Sequence, residues 1–303
     1  MGWLAAVSGG PDSMALLAVS ADVLGPSAVD AVYLDHGLRD RASIDAEIAL
    51  IDHYCKGRGI RFSVRKLPVR AESLRTKDGI EAAGREWRYR VLTHLAKVRG
   101  YSTIMTAHHR SDAAETVLLK IMRGSGMGLS GIRRSRNDRG IQILRPFMDL
   151  TKSQLLAYCR SHSIPYLVDV SNDDIRFSRN RIRKEIIPQM AAINSDIEAE
   201  LVRFADRVEE MTDYIRSHIQ PHWIRLEQSD YYLSEEVADA HPTLQRAVTM
   251  ALLARLTVTP SADRINRVID VFVQPIGTKI QLSKQWYMIR ATTGLRFTPV
   301  SMI

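Results

Sequence analysis

Apolar and polar positions alternate with two periods along the first half of the chain. "WLAAV" (Trp3–Val7) is a short continuous apolar run, and Met14–Leu24 repeats apolar residues at helical spacing. The same pair of patterns recurs downstream. Strands are predicted at Ala28–Asp35, Ile60–Val64, Thr103–Ala107 and Ile141–Leu144. Helices are predicted at Ile44–Arg58, Ile80–Val98 and Ser111–Arg123. Strand and helix in turn predict an α/β fold: a doubly wound, mostly parallel, five-stranded Rossmann-like sheet. Such sheets bind ligands beyond the carboxyl ends of their strands. Three polar segments fall there: Ser8–Ser13, Asp35–Arg39 and His108–Glu115.

The second half reads differently. Thr151–His162 is a helix with Thr151 as N-cap. Apolar residues from Ile197 to Ile219 step by three and four, and Leu244–Leu256 and Ala262–Phe272 are also helical. "KIQL", "WYMIRA" and "LRFTPV" close the chain as a small β unit. A chain of 303 residues is long enough for two cores. The expected organisation is a catalytic domain at 1–193 and a mainly helical domain at 194–303 that ends in the β unit.

Composition narrows the class. No window reaches the ~18 uninterrupted apolar residues of a membrane helix, and the start lacks a signal-peptide pattern. Cys55 and Cys159 are the only cysteines, so a disulfide scaffold or a Cys-x-x-Cys site is not expected, and a reducing cytoplasm is. Lys and Arg number 42 against 34 Asp and Glu, a net charge of +8. That surplus fits an ordinary basic protein as well as a polyanion binder. Clustering favours the second: Arg133, Arg134, Arg136 and Arg139 crowd one loop, and Arg176, Arg179, Arg181, Arg183 and Lys184 another.

The candidate chemistry lies in the strand-end segments. "SGGPDS" (Ser8, Gly9, Gly10, Pro11, Asp12, Ser13) joins a strand to a helix start, where free backbone N–H groups and the helix dipole favour an anion. It has neither the Walker ending nor the three-glycine dinucleotide spacing. Asp12 beside phosphates would repel them unless a divalent cation lies between, so Mg²⁺ is inferred with Asp12 as its ligand. Asp35 and His36 would face the same cleft, with Gly37 serving the turn. If a helix covers His108 onward, His108, Asp112 and Glu115 share one face. That set could bind a metal, hold a cationic amine and take its proton, or simply complement the helix dipole.

These segments, in order and at their spacing, resemble the PP-loop ATP pyrophosphatases. "SGGPDS", "DHGLR", "GREWRY", "AHHRSDAAET", "RGSGMGLSGI", "ILRP" and "DVSNDDIRFSRNRIR" carry the resemblance, which runs from the start to the final hairpin. Within that group the chain is similar to the tRNA(Ile)-lysidine synthase family. The resemblance implies a ligase that grips the pyrophosphate of ATP with the loop and adenylates the wobble cytidine of an isoleucine tRNA with a CAU anticodon. Free L-lysine would then displace AMP through its ε-amine. By the same resemblance Asp12 is the Mg²⁺ ligand, Asp112 and Glu115 hold lysine, and Arg88 acts in the active site. Ser8–Ser13, Asp35, His36 and His108 would bind ATP, and Arg133, Arg134, Arg176, Arg179, Arg181 and Arg183 the tRNA. No membrane partner is expected, and a homodimer is left open. Where the family carries Asp-Asp-Gln, this chain has Ser111, Asp112 and Ala113. The rival readings are a PP-loop synthetase with another acceptor and a nucleotide- or RNA-binding protein without chemistry.

Overall fold

A computed structural model describes residues 2–37, 40–68, 80–124, 129, 131–168 and 178–302. The chain forms two compact units, 1–205 and 206–303.

The first unit is built on a sheet of six strands: β1 (Trp3–Val7), β2 (Val29–Asp35), β3 (Arg61–Lys66), β4 (Thr103–Met105), β5 (Ser135–Asp138) and β6 (Ile141–Leu144). Their order is β3-β2-β1-β4-β6-β5. All neighbours pair in parallel except β5, which runs antiparallel to β6. The sheet therefore has one strand more than the pattern predicts. The extra edge strand is "SRND", paired antiparallel to β6, and it has no apolar alternation to announce it.

β1 lies at the centre, and its Leu4 and Ala5 are fully buried, as a strand covered on both faces requires. Helix Pro11–Leu24 follows it and is apolar on most sides. Helix Lys152–Ser161 covers it, and Cys159 Sγ contacts the Pro11 carbonyl at 3.3 Å. Thr151 caps that covering helix in a reciprocal pair with Gln154. The chain leaves β1 toward β2 and β3, then crosses back to β4 on the other side. That reversal opens a crevice at the carboxyl ends of β1 and β4. Register places Val7 beside Tyr33 and Ala5 beside Met105, so the loops after β1, β2 and β4 emerge together.

A polar break at Asn194–Ser195 ends one helix but does not end the first unit. Ile197, Leu201 and Ala205 of the next helix, Ile197–Ser217, still pack with Val117, Leu118, Ile182 and Ile187. The division falls inside that helix, between Ala205 and Asp206.

The second unit contains helices Pro242–Arg255 and Ala262–Asp270 and a five-stranded antiparallel sheet. Its strands are β7 (Ile224–Glu227), β8 (Asp230–Ser234), β9 (Lys279–Gln281), β10 (Trp286–Ala291) and β11 (Gly294–Pro299), in the order β7-β8-β11-β10-β9. Its sheet has two strands, β7 and β8, beyond the three closing segments that the pattern predicts. The β7–β8 hairpin escapes pattern reading because its turn uses Gln228 at φ 55° in place of Asn or Gly. Among the described residues, no helix is long and apolar enough to cross a membrane.

Candidate active site

The crevice at the strand ends is a cleft of about 490 Å³. The segment between β1 and its helix forms one wall. Gly9 holds φ +77°, and a Cβ there would meet the Glu47 side chain at 3.3 Å. Glycine is needed for both reasons. The Gly9 carbonyl is fixed by the Leu167 N–H at 2.9 Å. Ser13 Oγ accepts from the Ser8 N–H at 3.1 Å and donates to the Gly10 carbonyl at 3.0 Å, which folds the loop upon itself. Gly10 is the N-cap and no side chain caps the helix start, so its first-turn N–H groups are left without a side-chain acceptor at the cleft wall. Ser8, Gly10, Asp12 and Ser13 line the cleft; Gly9 and Pro11 support them from behind.

Asp12 sits among cations. Its Oδ2 lies 3.6 Å from both His109 Nε2 and Lys152 Nζ. Its Oδ1 is buried without a hydrogen-bond donor. An orphaned carboxylate oxygen at the mouth of a phosphate-type loop fits a divalent cation, which would complete its coordination with phosphate oxygens and water.

The opposite wall comes from the segment after β4. The helix there runs Arg110–Met122, so His108 precedes it and does not share a helical face with Asp112 and Glu115. His109, 1 % exposed, is the N-cap instead and forms a reciprocal capping pair with Asp112. Burial disfavours its charge, yet the facing carboxylates of Asp12 and Asp112 hold its pKa above the ordinary value. His108 bonds Thr106 Oγ1 through Nδ1 at 2.9 Å. Burial pushes its pKa down to about 3, against the pull of Asp112 and with help from nearby arginines, so it is neutral.

Asp112 and Glu115 are brought together, but at different depths. Asp112 lines the cleft, whereas Glu115 is fully buried behind it. Two arginines from the helical segment 178–186 close over both. Arg179 bonds Glu115 at 2.7 Å and Asp112 at 3.0 Å; Arg183 bonds Glu115 at 2.5 Å and 3.0 Å. Burial opposes the Asp112 charge, but His109 and Arg179 more than compensate and keep its pKa below the usual carboxylate range. Among the described residues no three His, Cys, Asp or Glu side chains are grouped to hold a metal, so the His108–Asp112–Glu115 metal option finds no geometry.

Arg88 reaches the cleft from helix Ile80–Val98. It has no carboxylate partner among the described residues, and burial lowers its pKa, with Arg85 and Arg179 adding to the effect. His36 lines the cleft; Asp35 lies beneath, accepting from the Gly37 N–H at 2.8 Å and facing Arg41 at 3.5 Å.

The remaining basic candidates lie elsewhere. Arg134 is paired with Asp149 at 2.7 Å and Arg181 with Glu185 at 2.8 Å, while Arg133 is exposed. Arg176, like Arg39, lies outside the described residues. Sequence reading missed Lys152, His109 and Asn180. His109 was signalled by its position three residues before Asp112, a capping spacing. Lys152 lies far from Asp12 in the chain and has no local signal. Ser111, at the position that departs from the family pattern, turns away from the cleft and donates to Glu198 at 2.8 Å.

Comparison with known proteins agrees with this geometry. The PP-loop domain family matches residues 1–190. The tRNA(Ile)-lysidine synthase of Gloeobacter violaceus is 33% identical over 92% of this chain and 85% of its own length. That of Ralstonia nicotianae is 35% identical over 90% of this chain and 58% of its own. The Bifunctional protein TilS/HprT of Listeria innocua is 29% identical over 97% of this chain, which spans 47% of that relative. The chain thus spans about half or less of the length of the first relatives it matches. Among solved structures, the U34-tRNA thiolase NcsA of Methanococcus maripaludis, which carries a [4Fe-4S] cluster, aligns with a TM-score of 0.59 at 15% identity. It covers 73% of this chain and 74% of its own, a likeness of fold. The glycine loop, the crevice and these relatives together establish that the chain belongs to the PP-loop family, among the tRNA(Ile)-lysidine synthases.

Proposed function

We propose that this protein is an ATP-dependent ligase that joins lysine to the wobble cytidine of an isoleucine tRNA with a CAU anticodon. The observation that carries the reading is a single cleft lined by the phosphate loop, Asp112 and Arg88, which has no carboxylate partner among the described residues. The relatives' names supply the acceptor; the geometry supplies the means.

The first step joins the O2 oxygen of the cytidine to the α-phosphorus of ATP and releases pyrophosphate. The loop's uncapped N–H groups and the helix dipole would hold the departing β- and γ-phosphates. Arg88 would meet the charge that builds on the α-phosphate, a task suited to a planar guanidinium with no competing carboxylate among the described residues. Mg²⁺ held by Asp12 Oδ1 would neutralise phosphate charge where Asp12 otherwise repels it.

In the second step the ε-amine of lysine bonds to C2 and the C2–O bond to AMP breaks. An amine with a free pKa near ~10.4 arrives as an ammonium and must lose a proton to attack. Asp112, kept ionised and facing the cleft, is the group that would bind that ammonium. Its depressed pKa makes it a better binder than base. Glu115 would act from behind by fixing Arg179 and Arg183, which set the position of Asp112. The neutral His108 would add no repulsion to the incoming cation. Both cysteines are buried free thiols, in keeping with a reducing cytoplasm.

The test is incubation with ATP, Mg²⁺, radiolabelled lysine and a tRNA(Ile) transcript with a CAU anticodon, beside one with uridine at the wobble position. Label in RNA from the first transcript alone is expected. AMP release without label would assign another acceptor, and ATP binding without AMP release would leave a binding protein.

A further inference from the structure

The arginines of the first unit divide by whether anything neutralises them. Arg134, Arg179, Arg181 and Arg183 are all committed to carboxylates. Arg85, Arg136 and Arg145 are not. These three converge on one residue, Tyr89. The guanidinium carbons of Arg85 and Arg136 lie 5.7 Å and 4.2 Å from its ring centroid. Arg145 donates Nη2 to the Tyr89 hydroxyl at 3.2 Å and Nη1 to the Arg133 carbonyl at 2.6 Å.

Among the described residues no carboxylate pairs with any of the three. Arg145 is only 2% exposed. The Nε groups of Arg145 and Arg136 are both buried with no acceptor. Burying a guanidinium without an anion is costly, and an unused N–H adds to the cost. Among the described residues the cluster holds three positive charges, two idle donors and no counterion. Arg85 is exposed and Arg136 half-exposed, so the cluster is reachable from solvent.

Its position indicates the ligand. Arg85 and Arg88 are three residues apart on helix Ile80–Val98, hence on one side of it. Arg88 faces the cleft. Arg136 comes from the edge strand β5, and Arg145 directly follows β6. The cluster therefore continues the cationic wall of the cleft toward the β5 edge of the sheet. A guanidinium fork matches the paired oxygens of a phosphodiester, and the aromatic ring holds two of the forks in place.

We propose that Arg85 and Arg136, backed by Arg145 across Tyr89, form a site for a backbone phosphate of the RNA whose base occupies the cleft. The proposal rests on the RNA substrate proposed above. Phosphate oxygens could come from ATP as well as from RNA, so both are measured.

The experiment titrates the CAU transcript by filter binding between about 50 and 300 mM KCl, and titrates ATP separately by calorimetry. An Arg85→Gln/Arg136→Gln variant is compared with wild type and with Arg58→Gln/Arg203→Gln, which removes equal charge from one half-buried and one exposed position, both paired with carboxylates. For the first variant the expected result is about tenfold weaker RNA binding at 100 mM salt, a log–log salt slope smaller by about one, and unchanged ATP affinity. The second should keep the wild-type slope. If the double variant fails to fold, Arg85→Gln alone, at an exposed position, should show a part of the same loss. An unchanged slope, an equal loss in the charge control, or a loss of ATP affinity in step with RNA would each overturn the site while leaving the ligase reading intact. Wild-type protein that binds no transcript would overturn both.

Discussion

Glu115 gives the sharpest stability prediction. It is fully buried and accepts three hydrogen bonds from two guanidiniums, at 2.7, 2.5 and 3.0 Å. Glu115→Gln keeps the volume, removes the charge and turns an NH₂ group toward donors. Charge-assisted bonds contribute roughly 1.5–3 kcal/mol each, so the gross loss is about 4.5–9 kcal/mol. The arginine side chains are 36% and 27% exposed and recover part of this as hydration, and Asp112 still holds Arg179. A net cost of about 3 kcal/mol follows, within the range for breaking a buried pair. For a unit of this size that lowers the melting temperature by about 6–12 °C. Differential scanning calorimetry that resolves the first unit is the assay. Glu185→Gln, at the exposed pair with Arg181, serves as reference and should not shift the melt measurably. If Glu115→Gln melts within 2 °C of wild type, Glu115 is not the anchor of the two arginines.

Three other outcomes are expected. Asp12→Asn should leave the fold intact but cut the enhancement of ATP affinity by Mg²⁺ at least about tenfold, read by calorimetry with and without the metal. Gly9→Ala should destabilise by about 1–3 kcal/mol, because its φ is +77° and its Cβ would press on Glu47, as a urea midpoint would report. His108 should make the fold acid-sensitive. Its folded pKa of about 3 lies below the unfolded value near ~6.5, so the unfolded chain binds more protons between those limits, and stability falls as pH drops through that window by up to about 1.4 kcal/mol per unit. His108→Gln should flatten that part of the urea-midpoint profile.

The parts of the molecule that could be read in advance share a physical cause. Central strands such as Trp3–Val7 and helices with strong periodicity declare themselves because burial selects their pattern. The loop at Ser8–Ser13 was legible because glycine, proline and a helix start have local meaning. "SRND" and the Gln228 turn were not, because edge pairing and a left-handed glutamine leave no apolar signature. At the site, the identity of the groups was legible and their pairing was not. Arg179 and Arg183 looked like part of a basic surface, and only the fold carries them onto Asp112 and Glu115, more than sixty positions earlier in the chain. Lys152 reaches Asp12 in the same way, across the packing of two helices.

That pairing bears on how the proposed lysine site could work in so basic a protein. An acid held only by solvent would attract any cation, including the chain's own arginines. Here the arginines are already seated, with Glu115 buried as their counter-charge and Asp112 left at the cleft edge. Under the proposed function, an incoming ammonium would meet one carboxylate whose charge is assured by its neighbours, flanked by a histidine that burial keeps neutral. Ser111 fits the same scheme. A carboxylate in its place would face Glu198, adding repulsion at the start of the helix that carries Asp112, whereas the Ser111 hydroxyl donates a bond there at 2.8 Å. The departure from the family pattern is thus matched to Glu198 on the neighbouring helix, and the acids that face the cleft keep their positions.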